Sequence, residues 1–348
     1  MQALVFAGVR RLESATVPDP ALLEPGDAIV RVRAAGVCGS DLHVYRGVET
    51  GLDAGTVMGH ELAGEVVAAG RAVERFRAGD LVVSPFTTSC GACFYCRSGL
   101  TSRCVRGQLF GWVEDGRGLH GAQAELVRVP LADSTLVRVP DGVPLEEALL
   151  AGDVLATGWF AAESARVAGG ATLAVVGCGP VGLMAVLAAQ ELGAGRIFAL
   201  DSVPERLALA ARFGGEAVDV GEGSAAERVR EATEGRGADA AVEAVGSAEA
   251  TRLAFDLVRP GGTIAAVGVH TERHLAIAPG EAYDKNLTYR AGRAPVRRYM
   301  RKLLALVQSR KHDLASLISH RLPLSEGPRA YDLFDRRAEG CTKVVLTP

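Results

Sequence analysis

Residues 172–201 read TLAVVGCGPVGLMAVLAAQELGAGRIFALD, and this stretch decides half of the fold. A short apolar run ends at Gly177, Gly179, Pro180, Val181 and Gly182. An Ala- and Leu-rich run follows, and a second apolar run closes on Asp201. Strand, glycine turn, helix and strand in this order form a dinucleotide-binding unit. The glycines permit a tight turn and bring a pyrophosphate close to a helix N-terminus. Asp201, 19 residues beyond Gly182, is placed to accept both ribose hydroxyls. Without those flanking elements the same glycines would be read as packing residues beside an unrelated Asp.

The texture on either side differs. From about Ala151 onward, PERLALAARFG, DAAVEAVG and GGTIAAVGV continue the alternation of helix and buried strand, which predicts a doubly wound parallel sheet with helices on both faces. The first 150 residues instead carry short alternating runs, DAIVRVRAAGV, ELAGEVVAAG, DLVVSPF and AELVRVP, broken by Gly, Pro and Asp. They predict a mixed, largely antiparallel β-rich domain, so the chain as a whole is α/β. After Gly292 a basic run, APVRRYMRKLLALVQSRK, reads as a helix with a solvated cationic face and no assigned partner, and CTKVVLTP reads as a closing strand.

With 348 residues, 48% hydrophobic and 23% charged, the chain has the composition of a soluble two-domain protein. A formal net charge of -3 without blocks of like charge gives no reason to expect nucleic acid or an anionic membrane as partner. Glycines and Pro180 interrupt the longest apolar stretch, Leu173 to Ala189, so it makes a poor membrane span. MQALVFAGVRRLES lacks a secretory signal, and a cytoplasmic location is expected.

Four of the seven cysteines crowd into CGACFYCRSGLTSRC: Cys90, Cys93, Cys96 and Cys104, spaced C-x2-C-x2-C-x7-C. Disulfides are the competing reading, but cytosolic reductants oppose them and two-residue gaps strain direct bridges. Four thiolates around one tetrahedral zinc fit the spacing. They leave no open position, so that zinc is expected to be structural. Asp153, alone among apolar residues in GDVLATGWFA, reads on that stretch alone as a helix N-cap.

GHELAGEVVAAGRAV from Gly59, CGSDLH from Cys38, the four-cysteine segment and the glycine fingerprint, in this order, resemble the zinc-dependent medium-chain alcohol dehydrogenases. RPGGTIAAVGV and GCTKVVL extend the resemblance almost to the end of the chain. It implies a GroES-like catalytic domain formed by residues 1–154 and 292–348, with a Rossmann domain, residues 155–291, inserted between. It also implies two zinc ions per chain, one catalytic and one structural. Cys38 and His60 match two ligands of the catalytic zinc. Asp153 stands where the best-known members carry Cys and a branch resembling secondary-alcohol dehydrogenases carries Asp, which favours the ligand reading. Glu61 is expected to approach the metal when no substrate is bound, and Asp41 to orient His60.

The same resemblance implies a proton relay through Ser40 and His43. It implies contacts from Thr157, Val181, Val267 and Val269 to the nicotinamide half of NAD, from Arg206 to the adenosine ribose and from Lys343 to the pyrophosphate. Phe86 and Trp112 are candidates to line the substrate pocket, whereas His120, His270, His274, His312 and His320 match no motif. The implied activity is reversible hydride transfer between a primary or secondary alcohol and NAD, in a homo-oligomer, dimer or tetramer. The alternatives are a polyol or L-threonine dehydrogenase, or a noncatalytic zinc-stabilised nucleotide-binding protein. A zinc-free quinone reductase of the same superfamily should lack both zinc constellations.

Overall fold

The computed structural model describes residues 1–223 and 225–348, and the chain divides into two compact units. The first comprises Met1–Asp153 and Pro295–Pro348, and the second Val154–Ala294. The sequence had suggested an insertion at residues 155–291.

In the first unit the strand Ala28–Val37 is the centre of the sheet. It pairs antiparallel with Glu61–Ala69, with Leu126–Val129 and with the closing strand Val344–Thr347. Leu81–Ser84 and Val137–Arg138 extend the sheet beyond Glu61–Ala69, and His320–Pro323 joins Val344–Thr347 in parallel. The expected mixed, largely antiparallel domain is therefore found, and its alternating runs supply the core: Val30, Val32, Leu62, Val66 and Val127 are buried with Phe110. The amphipathic helix Gly327–Arg336 covers this core with Tyr331, Leu333 and Phe334. The basic run forms the helix Val296–Gln308. It buries Val296, Tyr299, Met300, Leu303, Leu304 and Val307 while Arg298, Arg301 and Lys302 stay exposed, the two-faced pattern that its 3.6-residue period dictates.

Among the described residues of the second unit six strands, all paired in parallel, run in the order Glu216–Asp219, Arg196–Asp201, Thr172–Val176, Ala238–Glu243, Val258–Ala266, Thr288–Ala291. This is the doubly wound Rossmann arrangement. Its order reverses between Thr172–Val176 and Ala238–Glu243, so the ligand crevice lies outside the carboxyl ends of those two strands. Helix Pro180–Glu191 is buried from Gly182 to Ala189 without a polar face. At about 1.5–3 kcal/mol for each fully buried large side chain, Leu183, Met184, Val186 and Leu187 anchor it. Among the described residues no helix is long and apolar enough to cross a membrane.

Candidate functional site

Two neighbouring strand ends create the centre of the first unit. Gly36 pairs with Glu61, which places Cys38, two residues past Gly36, beside His60, one residue before Glu61. Asp153 follows the helix Leu145–Ala151 and completes the group. Its Oδ2 lies 3.3 Å from His60 Nε2 and 3.4 Å from Cys38 Sγ. A tetrahedral zinc with bonds of about 2.0–2.3 Å puts its ligand atoms roughly 3.3–3.8 Å apart, so these separations suit one ion.

Asp41 supports two of the three. Its Oδ1 lies 3.0 Å from His60 Nδ1 and its Oδ2 accepts from the Cys38 amide at 2.9 Å. This fixes the His60 ring with Nε2 turned toward Cys38 and Asp153, the support that metal-bound histidines typically receive. Ser40 Oγ stands 3.4 Å from both Cys38 Sγ and His60 Nε2. His43 sits half-buried on the short helix Asp41–Tyr45 that Ser40 begins. The Phe86 ring meets His60 edge-on at 6.2 Å between centroids. Trp112 lies on a short hairpin against the unit's core and donates to Glu114.

Glu61 is fully buried, and its ligand atom lies within 4.8 Å of those of Cys38, His60 and Asp153. Its Oε1 accepts from Lys343 Nζ at 2.5 Å, while its Oε2 is buried with no hydrogen-bond partner. Burial pushes the Glu61 carboxyl up to about 7, against the pull of Lys343. A desolvated carboxylate oxygen left unbonded beside three metal-ligand side chains fits a cation there. Gly36 makes the arrangement possible, because a Cβ at that position would lie 2.0 Å from Glu61 Oε2.

Lys343 reaches the same carboxylate from the closing strand. Its side chain is 0% exposed and donates to Glu61 and, at 3.0 Å, to the Val37 carbonyl. The register of its strand against Ala28–Val37 turns the ammonium into the unit interior beside Glu61. Sequence reasoning also missed Gln123 and Tyr331: the buried Tyr331 hydroxyl donates to Gln123 Oε1, and Gln123 Nε2 donates to the Gly36 carbonyl, each at 3.0 Å. Only the amphipathic period of GPRAYDLFDR hinted that Tyr331 faces inward.

The second metal-competent group in the first unit is Cys90, Cys93, Cys96 and Cys104, with all four sulfurs within 4.8 Å of one another. Backbone amides of Cys90, Cys93, Cys96 and Arg106 point at sulfurs at 3.2–3.5 Å. Donation from the Cys96 amide, then the Val105 amide, draws the Cys93 thiol down to about 6. Such donors stabilise thiolate, the form that binds metal.

In the second unit each glycine of the fingerprint has its own role. Gly177 has φ +90°, a left-handed turn. A Cβ at Gly182 would lie 1.7 Å from the Gly177 carbonyl oxygen, so only glycine lets the helix approach the strand. A Cβ at Gly179 would meet only Arg206 Nη1, at 3.9 Å, which leaves that side open to a ligand at the start of Pro180–Glu191. Asp201, at the end of its strand, accepts from the Cys178 amide at 2.7 Å and from the Ser202 and Val203 amides at 2.8 and 3.0 Å. Arg206 Nη1 is 3.6 Å from Asp201 Oδ2. Thr157 is buried on the helix Val154–Ser164, Val181 is in the first turn of Pro180–Glu191, and Val267 and Val269 follow the strand Val258–Ala266.

Comparisons with known proteins agree with this architecture. Residues 24–141 match the alcohol dehydrogenase GroES-like domain family, and residues 180–309 match the zinc-binding dehydrogenase family. Zinc-type alcohol dehydrogenase B of Aspergillus flavus is 42% identical over 343 residues, 96% of this chain and 79% of that protein. The solved alcohol dehydrogenase TADH of Thermus sp. ATN1 is 41% identical with a TM-score of 0.93 and covers 100% of this chain and 99% of its own. Galactitol-1-phosphate dehydrogenase of Escherichia coli is 25% identical with a TM-score of 0.87, over the whole of both chains. Two metal-competent clusters among the described residues of the first unit, with a Rossmann sheet in the second, define a zinc-type oxidoreductase. The chain belongs to the zinc-dependent medium-chain alcohol dehydrogenase family.

Proposed function

We propose that this protein is an NAD-dependent alcohol dehydrogenase that interconverts primary or secondary alcohols with aldehydes or ketones. The observation that carries the reading is the triangle of Cys38, His60 and Asp153, braced by Asp41. In this reading the first unit is catalytic and the second binds the dinucleotide. Zinc held by Cys38, His60 and Asp153 would supply Lewis acidity, lowering the pKa of an alcohol as it lowers that of water. Cys38 and Asp153 contribute one negative charge each, so the ion with neutral His60 carries no formal charge. Ser40 takes the proton that the alcohol gives up, and His43 receives it for release. Glu61 stands by as a fourth oxygen donor, while Cys90, Cys93, Cys96 and Cys104 would hold the structural zinc. Metal analysis is expected to give two zinc ions per chain, from the two separate ligand groups.

Gly177, Gly179, Pro180, Val181 and Gly182 hold the dinucleotide, with Thr157, Val267 and Val269 facing its nicotinamide half. The Asp201 carboxylate, fixed by three amides, is placed to accept from the ribose hydroxyls. An NADP phosphate in that place meets a like charge, and Arg206 already neighbours Asp201. A preference for NAD of at least about tenfold in kcat/KM is expected, about 1.4 kcal/mol. Asp201→Gly should lose most of it. Equal kcat/KM for the two cofactors in the unmodified protein would transfer control of the site from Asp201 to Arg206.

The substrate test is a panel of primary and secondary alcohols, polyols and L-threonine assayed for NADH formation, with ketones and aldehydes in reverse. Turnover of simple alcohols well above polyols and L-threonine supports this reading. Confinement of activity to polyols or to L-threonine would replace it, and dinucleotide binding without any turnover would make the protein noncatalytic.

A further inference from the structure

Glu243 ends the strand Ala238–Glu243, on the far side of the point where strand order reverses in the second unit. It is fully buried, yet every polar atom it offers beyond its strand is engaged. Its carbonyl oxygen accepts from the Val267 and Gly268 amides at 2.9 and 3.2 Å. Its Oε1 accepts from the Val245 and Gly246 amides, both at 2.7 Å. Its Oε2 meets His270 Nε2 at 2.9 Å. The other ring nitrogen of His270 lies 3.2 Å from Glu272 Oε2, and Glu272 Oε1 accepts from the Ala248 amide at 3.1 Å. Glu243 thus joins two loops that leave the carboxyl edge of adjacent strands, and His270 clasps them together.

These loops carry two exposed apolar side chains, Val245 at 49% and Val269 at 40%. Val245 borders the glycine turn, since a Cβ on Gly177 would lie 2.4 Å from its Cγ2. Exposed valines at the carboxyl edge, next to the reversal of strand order, occupy the place where doubly wound sheets bind their ligand. A surface that must stay open for a flat apolar ring cannot be held by packing on that face, so it is held from behind by hydrogen bonds.

We infer that His270, acting through Glu243, is a positioning residue that fixes the Val267–Val269 segment for the nicotinamide half of the cofactor and so sets dinucleotide affinity. The inference rests on the proposed NAD reading. His270 and Glu243 belong to the second unit and are not among the candidate metal ligands, which makes the effect separable from the metal centre.

The test uses the full-length, zinc-loaded protein, with NADH binding followed by fluorescence titration beside steady-state kinetics. Loss of one hydrogen bond to a buried carboxylate should weaken NADH binding about tenfold in His270→Ala and raise the KM for NAD in step. Zinc content, KM for alcohol and kcat should stay within about twofold. His270→Gln keeps an N–H donor toward Glu243 and should recover most of the lost affinity. Unchanged NADH affinity in His270→Ala overturns the inference. So does a Gln variant as weak as the Ala variant with an equal fall in Tm, which would mark a purely structural role. An unmodified protein that binds neither NADH nor NADPH would instead remove the dinucleotide reading beneath it.

Discussion

Asp153→Asn is expected to lower kcat/KM by well over about 10²-fold while NADH binding survives. Removing a group that merely orients a ligand typically costs about 10- to 100-fold, and Asp153 is proposed to be a ligand itself. Its Oδ2 stands 3.3 and 3.4 Å from the donor atoms of His60 and Cys38. The amide is neutral, a poorer donor to a divalent ion, and it removes one of the two charges that balance the ion. The stake is large. Zinc lowers the pKa of bound water from about 15.7 to about 7. A comparable effect on alcohol, nearly nine units at about 1.36 kcal/mol each, is on the order of 12 kcal/mol. Acid-base groups such as Ser40 and His43 are worth about 10² to 10⁴ in rate, roughly 3–5 kcal/mol, so their removal should cost less than removal of the metal. The N-cap reading makes the opposite forecast, because Asn caps a helix about as well as Asp. Kinetics together with zinc analysis decide: near-normal turnover with the catalytic zinc retained sinks the ligand role.

Cys96→Ser should reduce bound zinc from two per chain to one and open residues 91–104 to proteases. The structure gives this segment little else to stand on. Its helix, Phe94–Arg97, is four residues long, and neither that helix nor the 3-10 turn Thr101–Arg103 buries a residue. Phe94 is 73% exposed and Val105 71%. A helix this short is unstable in water without tertiary support, so cross-linking by the metal carries the fold of the segment. Structural zinc is worth about 10–16 kcal/mol in small domains. Unfolding here is local, so the fall in Tm should be modest relative to that figure, with proteolysis the sharper readout. Wild-type protease resistance with one zinc lost would contradict a structural role.

How legible this molecule was depended on how far apart the cooperating residues lie in sequence. The four cysteines fall within fifteen residues and the glycine fingerprint within six, so their spacing alone constrains a geometry. Cys38, His60 and Asp153 lie too far apart for spacing to say anything, and only the ordered motifs brought them together. For Lys343, whose bond to Glu61 was not legible, the motif GCTKVVL gives its neighbours but not its side. Pairing of Val344 with Val37 and of Val345 with Gly36 sets that, and a shift of one residue would reverse it. His270 matched no motif because its buried partner, Glu243, ends another strand 27 residues away. Gln123 and Tyr331 are buried polar residues whose purpose is visible only once the Gly36 carbonyl stands beside them.

The strand Val344–Thr347 also carries a consequence for synthesis. It pairs with Ala28–Val37, and Lys343 joins Glu61 across 282 residues of chain. At about 5–20 residues per second, translation separates these partners by roughly 14 to 56 s. The second unit, contiguous in sequence from Val154 to Ala294, is complete before the first unit can close. Throughout that interval the nascent strand Ala28–Val37 lacks one neighbour, and an open strand edge invites pairing with other chains. Glu61 waits equally long for its cation, so the ionic lock beside the metal ligands closes only after both halves of the first unit have emerged from the ribosome.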